Sequence, residues 1–226
     1  MYTVLLHSAA LTGTKNDIDF LVVVYENLPQ QEKEACVRLL LSLDQFAPPK
    51  GFEMSVVLYR DCRDLKYPTP FQLHYSNAHI KKIRNNLSEY CRTMNGSDGD
   101  LAAHFTIVRK VGVVQYGKPI DDVFGEVPQS SYLASIRSDI ENAESEIADN
   151  PVYVTLNLCR VLAYKKDGLI LSKPEGGNWG IDHLPKEYAD YIKKALDCYS
   201  TDNEFTADAA SGQRFACHML RMIFNE

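Results

Sequence analysis

A chain of 226 residues has room for one large domain or two small ones, and 45% hydrophobic content with a formal net charge of −6 describes an ordinary core-forming globular protein. No basic stripe is present to grip a nucleic-acid backbone, and no apolar run approaches the length of a membrane span. Six scattered cysteines without a Cys-x-x-Cys pair point to reduced thiols rather than a disulfide framework or a zinc site, so the expectation is a cytoplasmic protein bound to neither nucleic acid nor membrane.

In chain order, Val4-Leu5-Leu6-His7-Ser8 reads as a short strand running into a loop that contains Gly13. The loop leads to Lys15-Asn16-Asp17-Ile18-Asp19 and then to the apolar run Phe20 to Val24. Side chains alternate across a strand, so Asp17 and Asp19 share a face, and the run behind them is apolar on both faces, as in a buried strand. Two adjacent carboxylates repel each other. A hard cation such as Mg2+ relieves that repulsion, whereas a solvated strand end needs no cation at all. Leu28-Pro29 opens a helix to about Leu43, which Ala47-Pro48-Pro49-Lys50-Gly51 terminates. Phe52 to Tyr59 is the next strand, with Glu53, Ser55 and Val57 on one face. Glu53 joins Asp17 and Asp19 if the two strands are neighbours; otherwise it marks another solvated end. Tyr67-Pro68-Thr69-Pro70-Phe71-Gln72-Leu73-His74-Tyr75-Ser76 is a proline-stiffened turn into a short extended or helical segment.

From Asn77 the pattern reads almost entirely helical, which sets the expected domains at 1–76 and 77–226. Helices are predicted over Ala78–Thr93, Leu101–Val114 and Ser131–Ala148, with Asp98 and Asp100 as capping and first-turn acids. Asn150-Pro151 starts another helix, ended near Gly168. Leu171 to Ile181 follows, and its Trp179 suits either core packing or the wall of a binding site, with Glu175 and Asp182 as nearby acids. An amphipathic helix after Leu184-Pro185 carries Lys186, Lys193 and Lys194, each either a solvated lysine or a reach toward phosphate. The tail from Asp202 reads as a last helix through Phe215, Met219, Leu220 and Ile223.

Several of these segments together resemble the aminoglycoside adenylyltransferases that modify spectinomycin and streptomycin. The strand ending at Ser8 and the Asp17-x-Asp19 strand are similar to the opening of the nucleotidyltransferase fold. Pro68-x-x-x-Gln72, the stretch from Asp100 to His104 with Tyr116-Gly117-Lys118-Pro119, and Ser172-Lys173 followed by Trp179 match later parts of the family. The resemblance implies an α+β fold: a small polymerase-beta-like nucleotidyltransferase domain with a mixed sheet, followed by an all-helical bundle. It implies ATP as substrate with Mg2+, and AMP transfer to a hydroxyl of a cationic aminoglycoside-like antibiotic, hence antibiotic resistance, by a monomer or weak homodimer. Carried over residue by residue, Ser8, Asn16, Asp17 and Asp19 would hold the nucleotide, and Asp17, Asp19 and Glu53 the metal. Asp17, Asp19 and Gln72 take the catalytic positions, and Gln72, Asn178 and Trp179 those that contact the acceptor.

The chain also departs from that pattern. His7-Ser8 stands where the family has Gly-Ser, the following loop is shorter, and the first strand begins almost at Tyr2, where the family has a preceding helix. Loss of that helix would expose apolar surface. Gln72 replaces the Glu proposed as general base, and a neutral amide accepts no proton; His74 is either a stand-in or a packing residue. Asn178 replaces an acidic residue. These departures define a second reading, a weak or inactive relative that binds nucleotide or a small cationic ligand without turnover.

Overall fold

The computed structural model describes residues 2–6, 18–201, 203–206 and 208–224. Its first half contains β1 (Tyr2–Leu6), β2 (Ile18–Val24), α1 (Gln30–Leu43), β3 (Phe52–Leu58), α2 (Tyr59–Arg63), β4 (Thr69–Phe71) and β5 (Leu73–Tyr75). There follow α3 (Ile80–Asn85), α4 (Leu87–Thr93), β6 (Gly96–Asp98), α5 (Leu101–Val111), β7 (Val113–Tyr116) and α6 (Ile120–Val123). Five strands form one mixed sheet of order β5-β3-β2-β1-β7, and β4 pairs with β6 in a separate antiparallel ribbon. β2 and β3 run parallel, with α1 as the crossover between them, and the other pairs in the sheet are antiparallel.

Alternation along the strands divides the core in two. Val24, Met54, Val56, Leu73 and Tyr75 lie on one sheet face with Val37 and Leu40 of α1, Ile83 of α3 and Tyr90 and Cys91 of α4. Leu21, Val23 and Val57 lie on the other with Leu101, Phe105 and Val108 of α5, and with Val123 and Phe124. The central strands are therefore apolar on both faces, as the uninterrupted run in β2 requires.

The stretch after Ser76 is less helical than its sequence pattern predicts. Ala78–Thr93 is broken at Asn86, whose side chain caps α4 by accepting from the Glu89 N–H at 3.1 Å. Gly96–Asp98 forms β6, and the helix expected to reach Val114 stops at Val111 so that Val113–Tyr116 can pair with the open edge of β1. A β-branched pair at the end of a helix costs little to unwind when it gains a strand partner. Accordingly the chain divides into compact units at Met1–Tyr132 and Leu133–Glu226, whereas the sequence pattern alone sets the change at Ser76.

The expected long helix Ser131–Ala148 is two helices, α7 (Gln129–Ser138) and α8 (Ala143–Glu146). The second unit continues with α9 (Pro151–Asp167), α10 (Lys173–His183), α11 (Ala189–Ser200) and α12 (Ala209–Phe224). α9 is its central element and packs against α10, α11 and α12, which explains why residues on every side of it are buried. Three glycines of α10 let that helix approach closely. A Cβ on Gly177 would meet Leu196 and Leu156 at 2.6 and 2.8 Å, and one on Gly180 would meet Cys159 Sγ at 2.7 Å. Among the described residues, no helix is long and apolar enough to cross a membrane.

Gly177→Ala is expected to destabilise the protein by roughly 1–3 kcal/mol, because overpacking against the buried Leu156 and the half-buried Leu196 outweighs the ~1 kcal/mol by which Ala favours a helix. Asn178→Ala, on the exposed side of the same helix, is expected to stay within about 0.5 kcal/mol. Urea denaturation of the two variants beside the parent chain measures both.

Candidate active site

The parallel register of β2 and β3 sets Asp19 directly opposite Glu53. Both are half-buried at the opening end of the sheet, on the face that continues inward as Leu21 and Val57. Neighbouring strands lie about 4.8 Å apart, so the two carboxylates are within reach of one small cation. Ser55 is the next residue of β3 on this face, and β5 places His74 opposite it. Their side chains meet, with Ser55 Oγ 3.0 Å from His74 Nδ1. Gln72, two residues before His74, is half-buried and is anchored by its backbone N–H, which donates to the Val56 carbonyl at 2.7 Å.

α5 brings further charge to this face. Asp98 accepts from the Asp100 N–H at 2.9 Å, while the Asp100 carboxylate turns away from capping and meets His104 Nε2 at 3.2 Å, one helical turn on. Burial lowers the affinity of His104 for its proton. The Asp100 hydrogen bond and the charges of Asp100, Asp19 and Glu53 more than reverse that, and raise its pKa to about 9. His104 is thus a cation at neutral pH, set among three carboxylates.

The neighbouring imidazoles behave oppositely. His74 is held below its ordinary range by burial, then by His79 and His104, with Asp98 pulling the other way. His79 is also lowered, chiefly by burial. The Tyr90 hydroxyl donates to the His74 carbonyl at 2.7 Å, which uses its one proton, so His79 Nδ1–H must be the donor in the 3.0 Å contact to the Tyr90 oxygen.

Of the residues singled out from the sequence, Asp19, Glu53 and Gln72 thus share one region of the first unit, with His74 beside them. His7, Ser8, Asn16 and Asp17 lie outside the described residues. Asn178 and Trp179 belong to the second unit. Asn178 is exposed, whereas Trp179 is buried, stacks on His183 at 4.6 Å between ring centres and donates its Nε1–H to Asp167 at 2.7 Å. Packing is what the Trp179 ring does within its own unit. Glu175 closes a capping box with Ser172 at the start of α10. Lys193 lies 3.7 Å from Asp190, and Lys194 donates to the Thr206 carbonyl at 3.1 Å.

Asp100 and His104 are the residues whose place here the sequence pattern conceals. Asp100 reads there as a helix-start acid; the Asp-x-x-x-His spacing, which stacks the two on one helix face, was the signal available. Among the described residues, no three His, Cys, Asp or Glu side chains are grouped to hold a metal unaided.

The raised His104 pKa has a defined consequence for stability. A group bound more tightly to its proton in the folded chain stabilises fully below its unfolded value near 6.5, and that contribution is lost as pH rises through about 9. In Mg2+-free buffer the urea midpoint is expected to fall across this window, by an amount equivalent to about 1–3 kcal/mol. His104→Gln should abolish most of the slope.

Comparison with known proteins finds similarity along most of the chain. Residues 122–222 match the family model described as aminoglycoside adenylyltransferase, C-terminal domain. The chain is 25% identical over 207 residues to the aminoglycoside (3'') (9) adenylyltransferase of Rhizobium radiobacter, covering 88% of this chain and 76% of that protein. It is 24% identical over 227 residues to the enzyme of that name from Klebsiella pneumoniae, covering 96% and 84% of the two chains. The spectinomycin 9-adenylyltransferase of Staphylococcus aureus is 24% identical over 206 residues, with 87% and 76% covered. In three dimensions, the crystal structure of an Enterococcus spectinomycin adenyltransferase, AAD(9), solved with ATP and spectinomycin, superposes with a TM-score of 0.81 at 17% identity. That match covers 98% of this chain and 90% of the other, and it shows a shared fold. Taken together, these matches make the chain similar to the aminoglycoside adenylyltransferases along most of its length, with residues 122–222 matching the model of their C-terminal domain.

Proposed function

We propose that this protein is a cytoplasmic enzyme that transfers AMP from Mg2+-ATP to a hydroxyl of a cationic, aminoglycoside-like antibiotic. The observation that carries this reading is the register of β2 and β3, which sets Asp19 opposite Glu53 at the rim of the sheet. Two carboxylate oxygen donors side by side suit Mg2+, which takes one or two carboxylates and completes its shell with water and phosphate oxygens. When bound there, Mg2+ would offset the charge of the triphosphate and of the transition state. Asp17 is assigned to the same cation, and Ser8 and Asn16 to the nucleotide.

The residues of the first unit have three tasks in this reading. Asp19 and Glu53 fix where the triphosphate lies by holding its counter-ion. The Asp100-supported imidazolium of His104 is a fixed positive charge beside them, and it limits the mutual repulsion of the carboxylates before any ligand arrives. Gln72 contributes an amide that can donate or accept a hydrogen bond and thereby orient an acceptor hydroxyl, but it takes up no proton. In the second unit, Asn178 and Trp179 are assigned to the acceptor side. The overall charge of −6 favours a cationic acceptor.

One observation favours a second reading, binding without efficient turnover: an amide at position 72 leaves general-base catalysis from that position out of reach.

Mass spectrometry of the purified protein with Mg2+-ATP and spectinomycin, streptomycin or lincomycin is expected to reveal one product heavier by AMP. Asp19→Asn should lower its formation by at least about 10²-fold, as expected when charge compensation at a phosphoryl-transfer site is lost. Gln72→Glu should increase the rate if a base is limiting, by up to about 10²–10⁴-fold. Detectable ATP binding with no adduct from any acceptor would establish the second reading instead.

A further inference from the structure

His74 occupies a position that the three tasks above leave unused. It stands on the same sheet face as Asp19 and Glu53, one strand beyond Glu53 and one residue pair further in, which corresponds to roughly 8 Å between backbones. His104 of α5 interacts electrostatically both with that carboxylate pair and with His74, so these groups lie near one another. The His74 ring is only partly buried.

Its surroundings fix the ring from several sides. Ser55 of β3 holds Nδ1 at 3.0 Å; Phe71 of β4 and His79 contact the ring edge-to-face with centroids 6.4 and 5.7 Å away; and Tyr90 of α4 bonds the His74 carbonyl. Asp98 of β6 and His104 of α5 are the charged groups that act on it from the remaining elements. Burial and two neighbouring imidazoles oppose a second proton, so the ring is neutral at physiological pH. In the tautomer that donates Nδ1–H to Ser55 Oγ, Nε2 carries a lone pair.

We infer that His74 is the general base of this enzyme, taking through Nε2 the proton that Gln72 cannot take. The inference rests on the adenylyl-transfer reading and adds the residue that reading lacks. In the step, the acceptor hydroxyl oxygen forms a bond to the α-phosphorus of ATP and its proton passes to His74 Nε2. The bond from the α-phosphorus to the oxygen bridging to the β-phosphate breaks, and pyrophosphate departs with that electron pair. His74 then returns the proton to solvent. Ser55 acts as a positioning residue by holding Nδ1, which fixes how the ring is turned and accommodates the tautomer with Nε2 free of its proton.

The test compares His74→Gln and His74→Ala with the parent protein in single-acceptor adenylylation, with ATP affinity read by calorimetry and folding by thermal melts. Both variants are expected to lose about 10²–10⁴-fold in kcat while ATP affinity changes less than about threefold. Added imidazole should restore part of the His74→Ala rate, a rescue that a merely structural role would not permit. Gln72→Glu placed in the His74→Gln chain should recover activity through the carboxylate. A His74→Gln chain that folds and turns over within about threefold of the parent overturns the inference and leaves the adenylyl-transfer reading standing. So does a His74→Ala chain with normal ATP affinity and low kcat that imidazole does not rescue. A parent protein that forms no adduct with any acceptor overturns both.

Discussion

The structure depends on the parallel pairing of β2 and β3. Parallel strands require a crossover, which α1 supplies, and their register then leaves no freedom: once Leu21 lies beside Ser55 and Val23 beside Val57, Asp19 must lie beside Glu53. A slip of one residue would turn Leu21 and Val23 out of the core formed with α5 and would separate the carboxylates. Core packing and site geometry are therefore set by the same hydrogen-bonded ladder. The cost of holding two like charges together at the rim is met by the apolar burial behind them.

That carboxylate pair is relieved from within the protein as well as by any cation it binds. α5 packs its Leu101, Phe105 and Val108 onto the sheet, and the turn that begins the same helix carries Asp100 and His104 toward the pair. His104 gains positive charge because three carboxylates act on it, whereas at His74 burial outweighs the single carboxylate of Asp98, and His74 and His79 remain neutral. Histidines of one small region are thereby divided into a fixed cation and proton acceptors. Opposed environments that drive similar groups to different protonation states are a frequent mark of acid–base chemistry.

The helical unit obeys a different constraint. α9 is buried on nearly all sides, so each surrounding helix must approach it at short range, and α10 does so through Gly176, Gly177 and Gly180. Trp179 fills the space beside that contact, tied to Asp167 and stacked on His183. The Ser-Lys-x-x-x-x-x-Trp pattern thus has a structural basis here: a capping box that starts α10 and an aromatic anchor one turn and a half later. The family model covering 122–222 spans this framework.

Much of this was legible in the residues. The alternation and apolar runs of Ile18–Val24 and Phe52–Leu58 identify two central strands and place Asp19 and Glu53 at matching ends of them, because side-chain period alone decides which residues share a face. Whether those strands are neighbours is a pairing between segments separated by a helix, and only the tertiary structure decides it. The same holds for Val113–Tyr116, which reads as the end of a helix until the open edge of β1 offers hydrogen bonds, and for Asp100, which reads as a cap until His104 and the sheet surround it. The residue pattern determined the central strands, most of the longer helices and the kind of carboxylate chemistry available to the chain. Which of those carboxylates and imidazoles meet, and so what proton each one holds, follows from long-range packing and from the electrostatics of groups that the sequence keeps far apart.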